Sequence, residues 1–142
     1  MTPSELFDVF GDDDPTQYAD EAEQRWGDTE AYRESRRRTS GYRKTDWVTL
    51  KEEGDQIECR FAQVMAAGEQ ADSIAAMDVA ESHRLFVSRW FYPCSPQMHT
   101  GLAQMYVADP RFAAHYEKRA VGLAQYVHDA VLANAARHSG AA

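Results

Sequence analysis

Glycine, proline and cysteine are all scarce in this chain: 8, 5 and 2 of 142 residues. Few glycines and prolines leave few places where a helix must stop. Alternating runs of β-branched residues are missing too, so an all-α fold is expected. The two cysteines, Cys59 and Cys94, are too few for a disulfide scaffold and lack zinc-ligand spacing. No stretch of about 18 apolar residues occurs, which excludes a spanning helix. The opening Met1-Thr2-Pro3-Ser4-Glu5 lacks the basic and apolar regions of a secretory signal, so a cytoplasmic location is expected. Basic charge is also in short supply: 15 Lys and Arg stand against 23 Asp and Glu, a formal charge of −8. A duplex-binding domain needs a basic face to neutralise phosphates. The one basic cluster, Arg36-Arg37-Arg38 with Arg33, Arg43 and Lys44 nearby, reads mainly as a helix carboxyl end matched to its dipole. Neither nucleic-acid nor membrane binding is expected of this chain.

What is present is helical periodicity in a length that suits one domain. Asp12-Asp13-Asp14-Pro15 opens a helix carrying Tyr18 and Trp26 that stops at Gly27. Asp28 or Thr29 opens the next, which ends in the arginine cluster. Thr45 is expected to cap a long helix with Trp47, Leu50, Ile57, Phe61, Val64 and Met65 on one face, closing near Gly68. Ser73 opens another, with Ile74, Met77, Ala80, His83 or Arg84, Val87, and Trp90 or Phe91 along its apolar face. Helices follow over Pro96–Val107, from Asp109-Pro110, and from near Gly122. The tail from His138 looks frayed. Continuous apolar faces lie mostly in residues 45–137. Residues 1–44 carry isolated aromatics among charges, so a stable core over 45–142 and a marginal N-terminal part over 1–44 are expected.

The segment Arg89–His99 carries the most information. Tyr92 and Ser95 precede prolines and are pushed out of the helical region, and Ser95-Pro96 reads as a cap and first helical position. Around this break stand Trp90, Phe91, Tyr92, Cys94, Met98 and His99, an apolar and aromatic set unusual for a loop. Either the fold buries the corner or the corner lines a pocket.

Catalytic patterns are lacking. No phosphate loop, triad or metal motif is found, and Glu52-Glu53 reads as a solvated pair. The five histidines look scattered. A globin-like architecture suits the length, but nothing identifies a heme ligand. Cys94 precedes a helix amino end, a place that can activate a thiol; the plainer reading is a small buried side chain. The stripe Trp47, Trp90, Phe91, Tyr92, Met98, Met105 and Tyr106 is either ordinary core or the lining of an adaptable apolar pocket.

These residues resemble the TipA-type antibiotic-recognition domain, TipAS, which occurs as the effector domain of MerR-family regulators and as a free domain. The matching segments are 7–11, 23–32, 44–47, 80–84, 90–99, 105–112 and 129–135, nearly the whole chain. The resemblance implies an all-α, globin-like domain without heme or other cofactor. It implies non-catalytic capture of bulky apolar peptide antibiotics, notably thiopeptides, for resistance or sensing. The N-terminal part would fold over the ligand. Expected ligand contacts are Trp90, Phe91, Tyr92, Cys94, Met98, His99, Gly101, Met105 and Tyr106, joined by Trp26, Tyr32 and Tyr42 from residues 1–44. A monomer without metal is expected. Two departures bear on mechanism. The helix-turn-helix of the regulators would precede Met1, so this polypeptide is not expected to bind promoters itself. Some relatives carry a ligand-capturing cysteine where Gly101 stands, so capture there is expected to be non-covalent. Pro93 also replaces an acidic residue frequent in relatives. A protein-interaction module using the same apolar surface, or a Cys94-dependent drug-modifying protein, remains the alternative.

Overall fold

The computed structural model describes residues 27–139, which form six helices and no strand. The expected helix from Asp12 to Gly27, with Trp26, lies outside the described residues. Local chemistry sets most helix ends. Helix α1 (Glu30–Thr39) is capped by Thr29, whose hydroxyl accepts the Tyr32 N–H at 3.2 Å. Helix α2 (Lys44–Ala66) starts one residue before the expected Thr45 cap. The Asp46 carboxylate accepts the Arg43 N–H at 2.9 Å, and that bond serves the amino end in place of a Thr45 hydroxyl. At its other end Gly68 is left-handed (φ +83°). The Gly68 N–H returns to the Met65 carbonyl and the Glu69 N–H to that of Val64, the paired bonds of a Schellman motif.

Helix α3 (Ile74–Trp90) begins where the Ser73 hydroxyl accepts the Ala76 N–H at 3.1 Å. Helix α4 (Pro96–Ala108) has the expected start: Ser95 is extended, accepts the Met98 N–H at 3.1 Å, and is followed by Pro96 in the first turn. Asp109 caps α5 (Pro110–Glu117) by accepting the Arg111 N–H at 2.9 Å. Helix α6 (Leu123–His138) follows Gly122, which needs its freedom at φ +87°. The expected fraying does not begin at His138. That residue ends α6, with its Nε2 2.9 Å from the Glu81 carboxylate.

The chain divides into two compact units, with boundaries inside α2 and α3. The first comprises residues 55–86 and 94–142. Its core gathers Ile57 and Phe61 from α2, Ala76, Val79 and Ala80 from α3, Ala103 from α4, Tyr116 from α5, and Leu123, Ala124, Val127, Ala130 and Val131 from α6. Ile74 was expected on this face but is 72% exposed. Helical side chains lean toward the amino end, so a residue in the first position points past the core. The second unit comprises residues 1–54 and 87–93. Among its described residues Leu50, Val87 and Trp90 are buried, and α1 buries none. No helix among the described residues is long and apolar enough to cross a membrane.

Candidate functional site

The corner expected from the sequence exists, and each unit organises its own share. In the second unit α3 ends at Trp90, whose indole N–H donates to the Glu53 carboxylate. The same carboxylate accepts from Arg89 at 2.7 Å, and the Arg89 guanidinium lies 4.9 Å from the Trp90 ring centre. Glu53 is therefore a partner of the corner rather than half of a solvated pair. Tyr42 stands edge-on to Trp47 at 5.6 Å and to Trp90 at 5.5 Å, and its hydroxyl donates to the Trp90 carbonyl. Arg38 donates to the Ser88 carbonyl at 2.7 Å. The basic cluster read as matching its own helix thus also serves the carboxyl end of α3. Beneath it, Glu34 accepts from Arg37 and Arg38, which hold its carboxyl down to about 2. Tyr32 lies under Arg36, with 6.0 Å from guanidinium to ring centre. Phe91 and Tyr92 follow the helix and are half-buried.

In the first unit the corner continues through Cys94 into α4. Cys94 is buried, and burial pushes its thiol up to about 11. The thiolate is the nucleophile, and burial works against forming it here. Helix α4 has two dissimilar faces. His99 and Ala103 point inward, with His99 only 1% exposed. Met98, Gly101, Leu102 and Met105 follow one another at helical spacing on another face. Met98 is 40% exposed, and a Cβ built on Gly101 would meet nothing within 4 Å. Intramolecular packing therefore does not require glycine at 101. Tyr106 is half-buried among rings, 5.3 Å from Tyr116, 5.9 Å from Phe112 and 6.1 Å from His83.

The histidines are less scattered than the sequence suggested. His83 Nδ1 and His99 Nε2 are 2.7 Å apart, and the rings stack with centres 5.0 Å apart. Burial drives both rings toward the neutral form, and His83 further depresses His99. A neutral pair lets one ring nitrogen donate and the other accept. Beside His83, Arg84 donates to the Cys94 carbonyl at 2.8 Å and grips Glu81 through two bonds of 2.9 and 2.5 Å. Arg84, then Asn134 and His138, hold the Glu81 carboxyl down to about 2 against the cost of burial. Sequence reading missed Glu53 as the partner of Arg89 and Trp90 in one unit, and Glu81, Arg84 and the His83–His99 pair as a connected set in the other. Only the spacing of Glu81, His83 and Arg84 along one helix hinted at it.

Among the proposed ligand contacts, Trp90, Cys94 and His99 are packed inside their units. Exposed or half-buried surface is offered by Tyr32, Tyr42, Phe91, Tyr92, Met98, Gly101, Met105 and Tyr106. Trp26 lies outside the described residues. Among the described residues no group of three or more His, Cys, Asp or Glu could hold a metal ion.

Comparison with known proteins places this arrangement. The model of the TipAS antibiotic-recognition domain matches residues 18–134. The HTH-type transcriptional activator TipA of Streptomyces coelicolor is 50% identical over 139 residues, 98% of this chain and 55% of that protein. The HTH-type transcriptional regulator SkgA of Caulobacter vibrioides is 34% identical over 117 residues, 82% of this chain and 44% of that protein. The chain thus spans about half the length of the curated relatives it matches. TipAS of Streptomyces lividans, solved in complex with nosiheptide, superposes with a TM-score of 0.90 at 50% identity, covering 98% of this chain and 97% of that one. The antibiotic-binding domain of a TipA-class multidrug resistance transcriptional regulator gives 0.60 at 48% identity, covering 63% and 96%. The chain belongs to the TipAS antibiotic-recognition domain family.

Proposed function

We propose that this chain binds bulky peptide-type antibiotics of the thiopeptide class without changing them chemically, either sequestering the drug or serving as an effector-sensing domain. The observation that carries this reading is the TM-score of 0.90 with a domain solved holding nosiheptide. The surface of α4 supports it. Met98, Gly101, Leu102 and Met105 form an apolar strip in which two flexible thioethers flank a position with no side chain. Methionine adapts to irregular partners and favours contact with aromatic rings, and a missing Cβ lets a large ligand approach the helix backbone. Tyr106 on α4 is a further proposed contact. Phe91 and Tyr92 belong to the other unit and are proposed as contacts there. Residues 1–44, with Trp26, Tyr32 and Tyr42, are the part proposed to gain stability on binding; α1 buries no side chain of its own. The buried, poorly acidic Cys94 argues against the drug-modifying alternative. The domain division at residue 44, a monomeric state and a cytoplasmic location belong to the same proposal.

Titration with nosiheptide, followed by backbone amide NMR and intact mass, tests the reading. Saturable shifts at Met98, Gly101 and Met105 with unchanged mass are expected. No spectral change at excess ligand would remove thiopeptides and favour a protein partner. A mass increase equal to nosiheptide would overturn non-covalent capture.

A further inference from the structure

Two neighbouring residues of α3 grip α4 from both sides of its start. Arg84 donates to the carbonyl of Cys94, the residue before the Ser95 cap. His83 meets the ring of His99, one residue beyond Met98, at 2.7 Å. Neither grip is loose. The Arg84 guanidinium is fixed by Glu81 through two parallel bonds, a geometry a lysine cannot reproduce. Glu81 is fixed in turn from α6, by the Asn134 amide at 3.0 Å and the His138 ring at 2.9 Å. The chain of contacts runs from α6 through Glu81 and Arg84 to the Cys94 carbonyl, immediately before the Ser95 cap of α4. All these residues belong to one compact unit.

Tyr106 and Val107 pack the carboxyl half of α4 against the core, so the two grips matter most at its amino half. The inward residue Ala103 is small and the outward strip contains Gly101. Small residues at a helix contact give little resistance to turning or sliding, whereas a directional hydrogen bond at each side of the helix start fixes both. A rotation by part of a turn would swing the face shared by Met98 and Met105 away from its present direction.

We propose that Arg84, with the His83–His99 pair, is the positioning device of the α4 binding face: it holds Met98, Gly101 and Met105 in register without touching the ligand. This deepens the ligand-binding reading and rests on it for its consequence, though not for its geometry.

Methionine methyl NMR of the whole chain separates the two. Met98 and Met105 report on α4, while Met65 and Met77 lie on other helices. In the ligand-free protein, Arg84→Met is expected to move the Met98 and Met105 methyl signals and leave those of Met65 and Met77 in place. With nosiheptide as the probe, its Kd is expected to rise about tenfold or more. Arg84→Lys keeps the charge but cannot hold Glu81 and the Cys94 carbonyl at once, so an intermediate shift and an intermediate Kd are expected. If Arg84→Met unfolds the chain, Arg84→Lys and Glu81→Gln carry the same comparison. Unmoved Met98 and Met105 signals, or equal movement of all these methyls, overturn the positioning role. Shifted signals in a chain whose wild type ignores nosiheptide would sink the ligand reading and leave the positioning role standing.

Discussion

The two compact units are stabilised by different physics. In residues 55–86 and 94–142 five helices contribute to one buried apolar cluster, from Ile57 and Phe61 to Val127 and Val131. Among the described residues of 1–54 and 87–93, only Leu50, Val87 and Trp90 are buried and α1 buries no side chain, while directional contacts link Arg38 to the Ser88 carbonyl, Tyr42 to the Trp90 carbonyl, and Glu53 to Arg89 and the Trp90 indole. Apolar burial is cumulative and indifferent to orientation, so it gives a stable scaffold. Hydrogen bonds exchanged with water add only about 1 kcal/mol each but fix geometry. The second unit is therefore expected to open more readily than the first.

The strongest way to break this contrast is to hollow the apolar core. Phe61 is fully buried, and Phe61→Ala is expected to cost about 3–5 kcal/mol. Urea unfolding followed by circular dichroism reads the loss. A loss below about 1 kcal/mol, the scale of a single hydrogen bond, would mean that the apolar cluster does not dominate this unit.

Acid provides the next largest effect, and it falls on the same unit. Burial pulls His83 from 6.5 down to about 4 and lowers His99 as well. Between those values the unfolded chain binds protons that the folded chain refuses, so stability rises with pH through this window and falls on acidification. Each buried histidine is expected to cost about 2 kcal/mol between pH 7 and pH 5. Glu81 acts in the same direction at lower pH. Its carboxyl is held at about 2 against an ordinary 4.5, so its contribution is complete above 4.5 and is lost as pH falls toward 2. Urea midpoints measured at both pH values should differ in wild type, and by about half as much in His99→Phe, where His83 alone of the pair remains. Equal slopes in the two proteins would show that the pair does not titrate as its burial requires.

The contrast also marks what the sequence could reveal. Helix starts were legible at Thr29, Ser73, Ser95 and Asp109, because a cap is a bond between residues two or three apart. Gly68 and Gly122 marked turns for the same local reason. The TipAS family was legible from segments spread along the chain. Contacts across helices were not. His83 and His99 meet over a separation of 16 residues, Glu53 reaches Trp90 over 37, and Arg38 reaches Ser88 over 50. Their partners depend on helix packing, which hydrophobic periodicity does not specify. Periodicity itself erred at Ile74, where it could not tell a core position from the first turn beyond the core.

Within the second unit a smaller perturbation is expected to act locally. Tyr42→Phe keeps the ring contacts with Trp47 and Trp90 and removes the bond to the Trp90 carbonyl. A cost of about 1 kcal/mol is expected. Amide hydrogen exchange should quicken in α1 and remain unchanged in α6. Equal acceleration in both would mean that the two units do not open separately.

The smallest stability effect sharpens the comparison most, because its sign separates folding from function. Gly101 lies inside α4, where a glycine is less favourable than alanine by about 0.5–1 kcal/mol. A Cβ at 101 meets no atom within 4 Å, so Gly101→Ala should raise stability by about that amount. A residue kept as glycine only by chance would gain stability and bind nosiheptide unchanged. If the backbone at 101 is where the ligand lies, the same methyl group stands in its way, and affinity falls while the melting temperature rises. Gly101→Cys extends the argument by placing a thiol on that exposed strip, where reaction with an electrophilic ligand would add the ligand's mass. A more stable Gly101→Ala protein with undiminished nosiheptide binding would move the contact surface away from this face of α4.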